Sequence, residues 1–258
     1  MRILVTNDDG IHAPGLVIAE KIARALTDDV WVVAPETEQS GASHSLTLTM
    51  PLRLREIEKQ RFALTGTPTD CVMMGVAEVM KDKKPTLILS GVNRGSNIAD
   101  DVTYSGTIAG AMEGCALGIP SIALSQVYGW TDTAKVNWSY AEEYGPPLIR
   151  RLVDAGWPDG VLMNINFPDP EAGPMNGIEV TSQGKRDMQT AALDRRIDAR
   201  GNPYYWIGFK RVKSDPSEGT DLHAIYNKKI SVTPLHMNLT EARVVETLRQ
   251  TLDVDIKP

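Results

Sequence analysis

The chain has 258 residues, of which 42% are hydrophobic and 23% charged. That composition suits one large folded domain with an appendage and excludes a disordered chain. A net charge of −6 disfavours a grip on long nucleic acid but leaves open a small phosphorylated ligand, because one bound cation reverses the local field. No apolar run approaches the ~18 residues of a membrane span, and Met1–Gly10 does not read as a signal peptide. Cys71 and Cys115 suit buried free thiols rather than a disulfide or zinc site, so a reducing cytoplasm is expected.

Arg2–Thr6 is an unbroken apolar run and predicts a strand buried on both faces. It ends in Asn7-Asp8-Asp9-Gly10. A helix follows from Pro14-Gly15, with Leu16, Ala19, Ile22, Ala23 and Leu26 at helical spacing. Val30–Ala34 predicts a second buried strand, giving a β-α-β opening and hence a parallel sheet. Leu46, Leu48, Met50, Leu52 and Leu54 alternate, which predicts a half-exposed strand over Ser45–Arg55. Phe62 and Leu64 would pair with it in a hairpin. Thr67-Pro68-Thr69-Asp70 predicts a capped helix running to about Met80.

Thr86–Ser90 reads as a third buried strand, followed by a Gly/Asn-rich loop at Gly91–Asn97. Ser105-Gly106-Thr107 opens a small-residue helix over Ile108–Leu117, and Ser121–Ser125 is a fourth strand. A helix over roughly Val136–Ala155 and a strand over Val161–Asn166 continue the alternation. The fold class is therefore α/β, a doubly wound, Rossmann-like, mostly parallel sheet with a β-hairpin insertion and a protruding C-terminal oligomerisation arm. Residues 1–182 are read as the catalytic domain. Residues 183–228 are read as an extended hairpin arm carrying Tyr204-Tyr205-Trp206, which packs on another subunit. Residues 229–258 supply a strand near Ile230–Thr233 and a helix capped by Thr240, with Val245, Leu248 and Leu252 on one face.

Four polar segments fall on the same side of that sheet. Asp8 and Asp9 are adjacent carboxylates that repel unless a cation or proton holds them, and hard oxygen ligands suit Mg²⁺, Mn²⁺ or Ca²⁺. Gln39–Ser45 is a small hydroxyl-rich loop that lets backbone and serine oxygens approach a ligand closely. In Gly91–Asn97, Asn93 offers a carboxamide oxygen to a metal and Asn97 an amide to a phosphate oxygen. Ser105–Thr107 puts exposed N–H groups at a helix start, an anion site. Each segment also has a plain reading as a polar turn or an N-cap. Together they form the layout of metal-assisted phosphoryl chemistry. The sequence lacks a P-loop, a G-x-G-x-x-G after a strand and a nucleophile elbow. His12, His44, His223 and His236 show no metal-ligand spacing. His12 and His44 read equally as ligand-orienting or as hydrogen-bonded turn residues.

The segments MRILVTNDDGIHAPG, SGASHSLT, TGTPTDCV, SGVNRGSN, DDVTYSGTIAGAMEG, GNPYYWIG, GTDLHAI and SVTPL, in this order, resemble the SurE (survival protein E) nucleotidases over nearly the whole chain. The resemblance implies a cytoplasmic, divalent-metal-dependent phosphatase of nucleoside monophosphates. Its substrates would be 5′-monophosphates, with 3′-monophosphates and short polyphosphate as further candidates. The family's ligands for one Mg²⁺ or Mn²⁺ fall on Asp8, Asp9, Ser40 and Asn93, and its phosphate contacts on Gly41, Asn97, Ser105, Gly106 and Thr107. Asp8 and Asp9 are the catalytic candidates, with Asp9 preferred as base. Gln39 departs from the residue type expected there. The resemblance also implies a homodimer or homotetramer built through the C-terminal arm, and neither membrane nor long nucleic acid is an expected partner. Three rivals remain at this stage: a phosphatase with an aspartyl-phosphate intermediate, a receiver-like regulatory domain, and a nucleotide-binding protein without chemistry. The receiver reading lacks the aspartate it needs at the end of the third strand, which closes in Ser90-Gly91.

Overall fold

A computed structural model of the protein describes residues 1–129, 135–186, 192–208 and 215–252. The expected arm, 183–228, and the expected C-terminal unit, 229–258, therefore lie partly outside the described residues. In chain order the elements are β1 (Ile3–Thr6), α1 (Pro14–Arg24), β2 (Val30–Pro35), β3 (Leu54–Glu58), β4 (Arg61–Leu64), α2 (Pro68–Met74), β5 (Leu87–Arg94), α3 (Gly106–Ala116), β6 (Ser121–Gln126), α4 (Ser139–Ala155), β7 (Val161–Phe167), β8 (Ile178–Val180), β9 (Ala192–Ile197), β10 (Pro203–Gly208), α5 (Asp221–Tyr226), β11 (Ile230–His236) and α6 (Ala242–Leu252). Among the described residues the main sheet has nine strands in the order β3-β4-β2-β1-β5-β6-β7-β11-β8. Only the β3–β4 and β7–β11 pairs in it are antiparallel. The α/β, mostly parallel architecture is the one expected.

Every residue of β1 is buried, because β1 is central and covered on both faces. Ile3 and Val5 enter the core shared with α1 and α4, whereas Leu4 packs with Val33, Leu64, Cys71 and Val72 on the α2 side. Both cysteines are free and buried. Gly15 lets α1 ride directly on β5: a Cβ there would fall 1.9 Å from the Val92 carbonyl oxygen. From β1 the chain steps out to β2 and β4 on one side and resumes at β5 on the other. The carboxyl end of β1 is therefore a topological switch point, where open α/β sheets bind their ligands.

Several elements differ from expectation. The alternating stretch Ser45–Arg55 is not a strand; only Leu54–Glu58 is. Leu48 and Met50 are 84% and 69% exposed, so their alternation does not mark a buried face. Asp70 holds this segment instead, accepting from the Thr47 hydroxyl at 2.6 Å and the Thr47 N–H at 3.1 Å. The hairpin itself forms through β3 and β4. The helix expected to reach Met80 ends at Met74 and continues as a π turn over Gly75–Val79. β5 runs past Ser90 to Arg94, with an irregularity in its pairing to β6 between Ser90 and Asn93, so half of the expected loop is strand. α4 starts at Ser139 rather than Val136. Thr240 does not cap α6, which begins at Ala242; the Glu241 carboxylate accepts the Arg243 N–H there.

Within the arm, β9 and β10 form a separate antiparallel hairpin. Its Leu193, Ile197, Tyr205, Trp206 and Ile207 are exposed. The same stretch also contains α5, which returns to the body and buries Leu222 and Ile225 against Ile98.

Candidate active site

The turn Asn7–Gly10 closes on itself through an Asn7 Nδ2 bond to the Gly10 carbonyl at 2.9 Å. It carries Asp8 and Asp9 at the end of β1. Asp8 is only 4% exposed. Its Oδ1 accepts the Thr107 hydroxyl at 2.6 Å. α3 can come this near because residue 106 is glycine: a Cβ there would lie 2.7 Å from Asp8 Cβ and 3.0 Å from Oδ2. Burial is the main cause that lifts the Asp8 carboxyl from 3.8 to about 6, and the Asp9 charge adds to it. The hydroxyl and N–H of Thr107 oppose the rise. Burial also raises Asp9, with Glu38 adding to the shift and the Arg94 N–H and charge opposing it.

Backbone bonds draw the other loops to this pair. The Gln39 N–H donates to the Asp8 carbonyl at 2.7 Å, which sets Ser40 beside the turn. The Ser40 hydroxyl donates to Glu38 at 2.9 Å. The Arg94 N–H donates to Asp9 Oδ2 at 3.3 Å, which brings in the end of β5. Asn93 spends its amide nitrogen on the Gly95 carbonyl at 2.9 Å, leaving the carboxamide oxygen as the atom it can offer a cation. Gly41, with φ +77°, has no atom within 4 Å of where a Cβ would stand and lines the open side of the loop.

Ser105 acts as the N-cap of α3, accepting the Ile108 N–H at 3.0 Å. Thr107 binds Asp8 through its hydroxyl and its N–H, and Gly106 lets the first turn of α3 close on that carboxylate. Asn97 is placed differently from the others. Its amide donates to Ser125 Oγ at 2.9 Å, and its backbone is gripped by Asn164 and Asn166. The Asn97 N–H donates to Asn166 Oδ1 at 2.8 Å, and the Asn97 carbonyl accepts from the two amides at 2.7 and 3.1 Å. These bonds run to β6 and β7, not to the aspartates. Sequence reasoning missed Ser125, Asn164 and Asn166, although two asparagines inside the apolar strand VLMNINF were a visible signal. His12 is exposed, and His44 pairs with Glu113 at 3.0 Å.

Among the described residues no three His, Cys, Asp or Glu side chains are grouped so that they alone could hold a metal ion. A cation here would rest on two carboxylates plus the neutral oxygens of Ser40 and Asn93. The chemistry fits a hard divalent ion: a nearly buried carboxylate stands beside a second one, and burial raises both above the usual carboxylate range.

Fold and site together define a doubly wound α/β protein with an acidic centre at its switch point, faced by a helix N-terminus. The family profile described as Survival protein SurE matches residues 3–190, and the chain belongs to the SurE family. It is 58% identical over 258 residues to the 5′-nucleotidase SurE of Parvibaculum lavamentivorans, covering 100% of this chain and 93% of that one. The 5′-nucleotidase SurE of Caulobacter vibrioides is 56% identical over 253 residues, covering 98% and 96%. Among solved structures, the SurE protein from Aquifex aeolicus superposes with a TM-score of 0.83 at 38% identity, covering 97% of this chain and 99% of that one. Among the described residues no helix is long and apolar enough to cross a membrane.

Proposed function

We propose that this protein is a divalent-metal-dependent phosphomonoesterase that hydrolyses nucleoside 5′-monophosphates to nucleoside and inorganic phosphate. 3′-Monophosphates and short polyphosphate are further substrates of the same reading. The observation that carries it is the buried Asp8 beside the half-buried Asp9, whose charge raises the Asp8 carboxyl, set at the switch point against the N-terminus of α3. The names of the relatives in Parvibaculum and Caulobacter support the same activity.

In this reading Asp8, Asp9, Ser40 and Asn93 hold one Mg²⁺ or Mn²⁺. When bound, the ion supplies Lewis-acid polarisation of the phosphoryl group and a lowered pKa for water. The chain's own residues do the rest. The Gly106 N–H, at the positive end of α3, faces the equatorial phosphoryl oxygens with Gly41 across the opening, stabilising charge that grows in the transition state. Thr107 fixes the Asp8 rotamer through its 2.6 Å bond. Ser105 keeps the first turn of α3 wound. Asn97, tied to β6 and β7, sets the course of the loop between β5 and α3, and the amide hydrogen it does not give to Ser125 is the phosphate donor of that loop. Asp9, the less buried of the two acids, accepts the proton of the attacking water. The water oxygen bonds to phosphorus as the phosphorus–ester oxygen bond breaks, and the leaving nucleoside oxygen takes up a proton that Asp9 returns through solvent.

Assembly through the β9–β10 hairpin and a cytoplasmic location belong to the same proposal. The apolar residues exposed on that hairpin support subunit contact. The test is phosphate release from 5′- and 3′-nucleoside monophosphates with Mg²⁺, with Mn²⁺ and with EDTA, beside folded Asp9→Asn. Release should require the cation and fall by ~10²-fold or more in the variant. Turnover at the wild-type rate in EDTA or in the variant would refute the assignment.

A further inference from the structure

The segment Ile98–Tyr104 links the Asn97 loop to the phosphate turn, and it is held at nearly every residue. Ala99 sits at φ +51°, a left-handed conformation that an alanine adopts only when its surroundings enforce it. The enforcing bonds come from the base of the arm. The Ala99 N–H donates to Asp221 Oδ2 at 2.8 Å, and the Ala99 carbonyl accepts from Gln183 Nε2 at 2.9 Å. The Arg186 N–H donates to Asp100 Oδ2 at 2.7 Å, and its guanidinium pairs with Asp101 at 2.6 Å. Asp221 also takes the Gly184 N–H at 2.9 Å, locking the base of the arm to the start of α5. On its far side, Ile98 packs on Leu222 and Ile225. The clamped residues form one 3-10 turn, Ala99–Thr103, whose end is continuous with Tyr104 and the Ser105 cap of α3. The Thr103 carbonyl accepts the Ser43 hydroxyl at 2.8 Å, so the Ser40–Gly41 loop hangs on the same turn.

We infer that Arg186, with Asp221, is a positioning element for the phosphate turn: the base of the arm fixes the Ala99–Thr103 turn, and that turn sets where Ser105–Thr107 and the Ser40–Gly41 loop stand relative to Asp8. The inference rests on the phosphomonoesterase reading for its kinetic consequence but not for its structural one. Three carboxylates, Asp100, Asp101 and Asp221, lie at this junction; the Arg186 guanidinium pairs with Asp101, and its charge also acts on Asp221. Removing its charge breaks the ion pair to Asp101 and loosens the hold of the arm on the turn. Positioning errors near 1 Å at a reacting group are worth ~10²-fold. The loss should fall on kcat, because charge stabilisation at the phosphoryl oxygens is needed most in the transition state.

The test uses the full-length protein with adenosine 5′-monophosphate and Mn²⁺. Arg186→Ala should lower kcat by about tenfold or more with KM moved less than about threefold, and Arg186→Lys should recover most of it. Asp101→Asn should match Arg186→Ala, and the double variant should be no worse than either, because all three break one ion pair. Backbone hydrogen exchange at Ile108 and Ala109, whose N–H groups bond to Ser105, should quicken in Arg186→Ala while β1 and β5 stay protected. Unchanged kcat with unchanged exchange at these amides overturns the inference. So does exchange that quickens throughout the sheet, which marks general destabilisation. If the wild-type protein releases no phosphate, the nucleotidase reading fails and the exchange measurement alone decides the clamp. If Arg186→Ala does not fold, Gln183→Ala removes the Ala99 bond alone and is held to the same two outcomes.

Discussion

Replacing Asp8 by asparagine should stabilise the metal-free protein while destroying its activity. Asp8 is 4% exposed, and its carboxyl is raised from 3.8 to about 6 by burial and by Asp9. A folded-state value above the unfolded one means that the protonated form favours folding. That stabilisation is complete below pH 3.8 and is lost as the pH climbs through about 6. At pH 8 the ionised group leaves the protein about 3 kcal/mol less stable than a neutral one would, from 1.36 kcal/mol for each pH unit of separation. Asparagine keeps an acceptor oxygen for the Thr107 hydroxyl but adds an amide nitrogen that needs its own acceptor, so a gain of about 1–3 kcal/mol is expected. In a chain of this size that is a rise in Tm of roughly 2–12 °C. Thermal unfolding of wild type and Asp8→Asn, at equal protein concentration in EDTA, should show the gap at pH 8. At pH 5 it should narrow to about half, because Asp8 is then largely protonated in the folded protein but still ionised in the unfolded chain, and it should close only below pH 3.8. Adding Mg²⁺ or Mn²⁺ at pH 8 should reverse the order, since the cation stabilises only the chain that binds it. A variant less stable than wild type at pH 8 in EDTA, or a gap that does not narrow at pH 5, refutes the charge argument.

Two further substitutions probe the frame around the acids. Gly106→Ala places a methyl group 2.7 Å from Asp8 Cβ, so phosphate release should drop by ~10²-fold with the circular dichroism unchanged; activity within tenfold of wild type would count against the close-approach argument. Asp70→Ala strips the acceptor from the Thr67 N–H and from both Thr47 groups. It should cost about 2–4 kcal/mol in urea unfolding and speed proteolysis within Ser45–Arg53. An unchanged midpoint and cleavage pattern would show that the capping box does not hold that segment.

Buried-strand runs were legible because burial on both faces leaves no alternative pattern: Ile3–Thr6, Val30–Pro35 and Ser121–Gln126 stand where an unbroken apolar stretch placed them. The alternating segment at Ser45–Arg55 misled for the converse reason. Period two predicts a strand only if a neighbouring strand and a core lie beside it; Leu46, Leu48 and Met50 are exposed, only Leu52 and Leu54 reach the core, and Asp70 takes the Thr47 N–H. α5 was missed because six residues are too few to show a helical period, and its two buried apolar residues, Leu222 and Ile225, carry meaning only once Ile98 is known to meet them.

The site divides along the same line. Asp8 and Asp9 announce themselves because two adjacent acids are a local conflict, and a conflict between local chemistry and burial is where function is expected. Ser105–Thr107 was half legible: the residue types fit either an anion site or a cap, and the structure uses Ser105 as a cap and Thr107 as a partner for Asp8. Asn97 was the least legible, because what determines its orientation lies in β6 and β7, 28 and 69 residues away along the chain. The loops converge through main-chain bonds such as Gln39 N–H to the Asp8 carbonyl and Arg94 N–H to Asp9. Residue types at 39 and 94 do not encode such bonds, since any residue but proline offers the same N–H. What they do encode is the spacing from strand end to loop. This explains how an unexpected residue such as Gln39 can stand in the middle of the site without disturbing the geometry around it: the position contributes its backbone to Asp8 and directs its side chain to Thr37 instead.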